Sequence, residues 1–199
     1  MKYLIRNINN YKIDEIETFY DYIYETKKNR ISKYKNEIVR TRSIIGEIIL
    51  SELLSKEKID YKTLKFQTNE YGKPYIEGKN IYYNISHSHD YVIVAISNKE
   101  IGIDIEKIRK NPTSIINQIA TDNEKAYILA DSENTNKRLF EIFTLKEAYF
   151  KMLGKNLNNI LNIEFSIKGN SIICTDPNIH SEFITDIPGY VISFCEKKD

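Results

Sequence analysis

Apolar positions along this chain follow two periods. Residues 36–55 place Ile38, Arg42, Ile45, Ile49 and Leu53 at intervals of three and four, near one face of a helix. The same periodicity predicts helices over 12–27, 114–131 and 138–153, the last closed by Gly154. Short extended runs predict strands at 2–7, 63–67, 74–77, 81–85, 91–97, 101–106, 163–167, 171–175, 182–186 and 190–195. Turn signals such as Tyr71-Gly72-Lys73-Pro74 and Lys168-Gly169-Asn170 separate them. A strand, helices and several strands thus occur twice in the same order. The pattern predicts an α+β protein of two similar lobes, 1–98 and 99–199, joined near Ser97-Asn98-Lys99-Glu100. That junction has no Gly/Ser/Pro-rich linker, so close packing of the lobes is expected, with a ligand site between them.

Two places break the apolar pattern with charge. In Ile101-Gly102-Ile103-Asp104-Ile105-Glu106 an extended chain projects Asp104 and Glu106 on one face while the isoleucines occupy the other. Paired carboxylates there suit a hard cation such as Mg²⁺, which needs further oxygen donors. In Phe143-Thr144-Leu145-Lys146-Glu147-Ala148-Tyr149-Phe150-Lys151, Glu147 and Lys151 stand one helical turn apart, which on an ordinary surface helix reads as a solvated ion pair. Lys146 falls within the apolar stripe, where an unpaired ammonium is costly.

Composition narrows the function classes. With 199 residues and 41% hydrophobic content the chain can build a substantial core. A net charge of +1 argues against bulk nucleic-acid binding. No N-terminal stretch pairs positive charge with an apolar run and a cleavage site, and nowhere do about eighteen apolar residues run together. A soluble, cytoplasmic protein with no membrane partner is expected. Cys174 and Cys195, in apolar C-terminal runs, read as buried free thiols. His87 and His89 have the spacing of a zinc pair, but His180 and the two cysteines are a poor supply of further ligands.

Four motifs in order carry a resemblance: Asn69-Glu70-Tyr71-Gly72-Lys73-Pro74, Asn84-Ile85-Ser86-His87-Ser88, the Gly102 to Glu106 strand and the Phe143 to Lys151 helix. Together they resemble the signature of the 4′-phosphopantetheinyl transferases, in the larger Sfp type. Phe143 stands where that family usually has tryptophan, and Tyr83 where phenylalanine is common; both exchanges keep an aromatic.

The resemblance implies two lobes related by a pseudo-twofold, with coenzyme A bound in the cleft between them. It implies that Asp104, Glu106 and Glu147 hold Mg²⁺, with Mn²⁺ able to substitute, and that Lys151 stabilises phosphate charge. Lys27, Arg30 and Arg42 match positions that contact the 3′-phosphate of coenzyme A. Lys73 and Pro74 match the segment against the adenine, and Ser86 and His87 match phosphate ligands. Glu124 matches a family position to which the residues alone assign no role. The implied reaction transfers 4′-phosphopantetheine from coenzyme A to a serine of an apo acyl or peptidyl carrier protein, releasing 3′,5′-ADP. Either Glu147 or a metal-bound water takes the serine proton. A single chain holding both lobes implies a monomer. A Mg²⁺-dependent phosphohydrolase using the same acids and a non-catalytic module of the same fold are the competing classes.

Overall fold

Strand β5 (Tyr91–Ser97) is buried along almost its whole length, as its unbroken Val92-Ile93-Val94-Ala95-Ile96 run requires. It is the middle strand of an antiparallel sheet ordered β1-β5-β4, with β1 at Lys2–Asn7 and β4 at Tyr82–Ser88. Between β1 and β4 run helices α1 (Ile13–Tyr20), α2 (Glu25–Ile31) and α3 (Glu37–Lys56), then the hairpin of β2 (Phe66–Thr68) and β3 (Pro74–Ile76). Ile45, Ile49 and Leu53 of α3 join Val92 and Val94 of β5 in one buried cluster. Ile38 departs from the predicted stripe: it lies in the first turn of α3 and is 53% exposed.

The same order recurs further along. Strand β6 (Ile101–Lys107) is followed by α4 (Ile116–Ile119), α5 (Asp122–Leu129) and α6 (Thr135–Leu153). The hairpin of β7 (Phe165–Lys168) and β8 (Ser171–Cys174) precedes β9 (Ile179–Ile184) and β10 (Tyr190–Lys197). The second antiparallel sheet is ordered β6-β10-β9, so in each sheet the last strand lies between the first and the penultimate. The chain divides into two compact units, Met1–Asn98 and Lys99–Asp199.

The computed structural model describes residues 1–110, 113–157, 159–169 and 171–199. The turn expected at Lys168-Gly169-Asn170 therefore lies, at Asn170, outside the described residues.

Two predicted helices are each broken. The stretch 12–27 divides at Asp21–Tyr24, which lets Ile23 join Ile31 and Ile44 in a small buried cluster. The stretch 114–131 divides at Ala120-Thr121, where Thr121 caps α5 and Glu124 Oε2 accepts from the Thr121 amide at 2.8 Å. Helix α6 ends as predicted on Gly154, whose left-handed φ of 63° lets the Lys155 amide reach back to the Phe150 carbonyl at 3.1 Å.

Candidate active site

The second unit draws its acids and its lysine together through one close approach of strand and helix. A Cβ built on Gly102 would lie 2.0 Å from the Ala148 carbonyl oxygen and 2.4 Å from the Met152 amide nitrogen. Only glycine lets β6 lie this near the α6 backbone. Alternation along β6 then turns Asp104 and Glu106 to the same face as Gly102, towards α6. Asp104 is buried, and its Oδ1 accepts a bond from Lys151 Nζ at 2.5 Å. Glu106 pairs with Arg109 at 3.4 Å. Burial raises the carboxyl of Glu147, which Lys151 opposes and the charges of Asp104 and Glu106 reinforce. Glu147 on α6 therefore senses both acids of β6.

These carboxylates have the hard-oxygen chemistry that suits Mg²⁺. Among the described residues, no three Asp, Glu, His or Cys side chains already form a group able to hold a metal ion. An ammonium holds the Asp104 oxygen instead, so a cation is accommodated at the acid on β6. In donor chemistry Asp104, Glu106 and Glu147 fit a divalent ion.

Lys146 has a separate occupation on the opposite side of α6. Its side chain is fully buried and its ammonium lies 2.6 Å from Glu124 Oε2, itself fully buried. The same ammonium donates to the Ile119 carbonyl at 2.9 Å and the Ile160 carbonyl at 3.1 Å, while Glu124 Oε1 accepts from the Phe165 amide at 2.9 Å. Burial lowers the Lys146 pKa, and Glu124 opposes the shift. One ion pair thus ties α6 to α5, to the end of α4 and to β7.

The predicted anion ligands of the first unit lie on several elements. Arg30 is exposed on α2, and Arg42 is half-buried on α3 with its Nε enclosed and without a hydrogen-bond partner. Lys27 leaves the basic run altogether: it is 8% exposed and its ammonium lies 2.5 Å from Glu47 Oε2. Lys73 and Pro74 sit at the β2–β3 turn. There the Asn69 side chain accepts from the Tyr71 amide at 3.0 Å and the Lys73 amide at 2.8 Å, and Gly72 has φ of 84°. Ser86 and His87 lie inside β4 rather than beyond it. Adjacent strand positions separate them: Ser86 is buried and His87 exposed.

Glu47 carries no signal in the sequence, whereas Gly102 and Asn69 stand in the motifs as residues whose tasks, a close approach and a turn, only the structure shows. Neither cysteine is poised as a nucleophile: burial pushes Cys174 up to about 11 and raises Cys195 further.

An α+β protein with repeated topology and an acid–lysine site across a glycine-tight strand and helix is the class these features define. Two family models match it. One described as 4′-phosphopantetheinyl transferase superfamily covers residues 100–195, and one described as 4′-phosphopantetheinyl transferase, N-terminal, covers residues 11–99. The chain belongs to the 4′-phosphopantetheinyl transferase superfamily, Sfp type.

Among characterised relatives, 4′-phosphopantetheinyl transferase gsp of Aneurinibacillus migulanus is 34% identical over 68% of this chain, and the match spans 57% of that relative's length. 4′-Phosphopantetheinyl transferase Sfp of Bacillus subtilis is 28% identical over 92% of this chain and 85% of its own. 4′-Phosphopantetheinyl transferase ffp of Bacillus subtilis is 26% identical over 97% of this chain and 89% of its own.

Proposed function

We propose that this protein transfers the 4′-phosphopantetheine group of coenzyme A to a serine hydroxyl of an apo acyl or peptidyl carrier protein, releasing 3′,5′-ADP. The observation that carries the reading is the Lys151–Asp104 contact of 2.5 Å beside Glu147, on the two motifs that the family resemblance assigns to the reaction. Asp104, Glu106 and Glu147 would hold Mg²⁺, which would supply charge neutralisation for the pyrophosphate.

The chain's own groups do the rest. Lys27, Arg30 and Arg42 bind the 3′-phosphate; the enclosed, unpartnered Nε of Arg42 supports that role. Lys73 and Pro74 lie against the adenine, and Ser86 and His87 donate to phosphate oxygens. Lys151 stabilises the phosphate oxygens that gain charge. Either Glu147 or a metal-bound water takes the serine proton. The reading includes action as a monomer in the cytoplasm. Among the described residues no helix is long and apolar enough to cross a membrane.

Intact-mass measurement of apo carriers incubated with the protein, coenzyme A and Mg²⁺ tests the proposal. The expected result is a gain of one phosphopantetheine per carrier, slowed about 10²–10⁴-fold by Glu147→Ala and abolished by a chelator. No gain on either acyl or peptidyl carriers, with coenzyme A still bound, would overturn it.

A further inference from the structure

A groove of about 740 Å³ lies in the first unit, between α1, the residues that follow it and the short turn Tyr61–Thr63. Its volume is that of a small-molecule site. It shares no residue with the proposed coenzyme A contacts, and its charge has the wrong sign for a phosphate. Asp14 and Glu15 of α1 line it together with Asp60, and Lys62 is the cation among its lining residues. Three carboxylates against one ammonium leave a formal charge of −2.

Acids in the first turn of a helix are ordinary, because the helix dipole favours them. The rings beside them are not. Phe19 and Tyr22 stack with centroids 6.4 Å apart and planes 16° apart, and Tyr61 tilts against Phe19 at 6.4 Å. Tyr22 lines the groove and is 53% exposed. The Lys62 ammonium stands 3.8 Å from the centre of that ring, so a cation is already seated on the aromatic wall, as the negative face of the ring favours. The carboxylates are held but not neutralised. Asp60 accepts from the Lys62 amide at 3.0 Å and Glu15 from the Lys12 amide at 3.1 Å, and among the described residues none of the three acids is in an ion pair.

We propose that this groove binds a short linear aliphatic diamine, with its methylenes along Phe19 and Tyr22, its two ammonium groups balancing the charge of the lining, and Lys62 competing with it for the Tyr22 ring. A dication is the occupant that cancels the lining charge, and an aliphatic one has the apolar body that the rings accept. An acidic partner surface is repelled by the same three carboxylates. The inference is independent of the transferase reading, since it concerns other residues and is measured without coenzyme A.

The test is calorimetric titration of putrescine into the full chain at about 150 mM salt. Saturable one-to-one binding with Kd below about 1 mM is expected, and no binding of the diol of the same length. Tyr22→Leu keeps an apolar body and removes the ring, and Asp14→Asn removes one charge; each is expected to weaken binding about threefold to fivefold. Lys62→Met removes the competitor and is expected to tighten binding about threefold to fivefold, a gain that an unfolded variant cannot give. All three side chains are exposed, so Tm should stay within about 2 °C of the parent.

A parent protein that putrescine does not saturate overturns the proposal. Binding that Tyr22→Leu and Asp14→Asn leave unchanged also overturns it, since that is diffuse attraction to surface charge. Equal binding of the diol would make the groove apolar only. A tetralysine peptide that binds more than about tenfold tighter than putrescine, and loses that binding in Tyr22→Leu, would overturn it as well, because the occupant is then a basic segment of a partner protein.

Discussion

Lys146 and Lys151, five positions apart on α6, meet different environments. Lys146 is sealed with Glu124, whereas Lys151 is 30% exposed and reaches Asp104. Lys146→Met should cost about 3–5 kcal/mol, because Glu124 is left charged in the interior; adding Glu124→Leu should restore most of it, as read by urea unfolding. The sequence made the cost of an unpaired Lys146 visible, since the residue interrupts an apolar stripe. Its partner was hidden, because Glu124 stands on another helix and no periodicity links two helices. Lys27 was hidden for the same reason: within a run of lysines it reads as solvated, and Glu47 lies on α3. Glu147 gives a pH signature. Its folded pKa is raised above 4.5, so its contribution to stability is present below the unfolded value and is lost as pH rises through the folded one. Glu147→Gln should therefore raise the Tm of the metal-free protein at pH 8 and have little effect at pH 4, measured by thermal scans at both.

Elements were legible where a long period or a fully apolar run set them. Helix α3 (Glu37–Lys56) and strand β5 (Tyr91–Ser97) lie where periodicity placed them, and Gly154 caps α6. The two breaks were less legible. Helical spacing continues through Asp21–Tyr24 and through Ala120-Thr121, and tertiary burial of Ile23 and the Thr121–Glu124 box decide against continuity. The spacing of strand and helix at Gly102 was not legible at all, since it depends on how near two backbones come. Gly102→Ala would push a methyl into the α6 backbone. It should destabilise by about 1–3 kcal/mol in chemical denaturation. A shift of ~1 Å between Asp104 and Lys151 should lower transfer by up to about 10²-fold, measured as initial rate at saturating coenzyme A.

At the scale of the whole molecule, the repeat of topology was visible in the order of elements, while the sheet order that makes it a true repeat was not. The sheets β1-β5-β4 and β6-β10-β9 are the same arrangement formed by stretches with no evident sequence identity. The proposed coenzyme A contacts Lys27, Arg30, Arg42, Lys73, Pro74, Ser86 and His87 belong to Met1–Asn98, and the acid–lysine site belongs to Lys99–Asp199. A net charge of +1 gives little overall attraction for a partner, so the proposed recognition of a carrier rests on local surface. The central claim is group transfer, as opposed to hydrolysis by the same acids. It is tested most directly by following, in one reaction, the 3′,5′-ADP released and the carrier modified. The account predicts equal amounts at every time point, and neither product when the carrier's acceptor serine is replaced by alanine. Release of 3′,5′-ADP in the absence of modified carrier would contradict it.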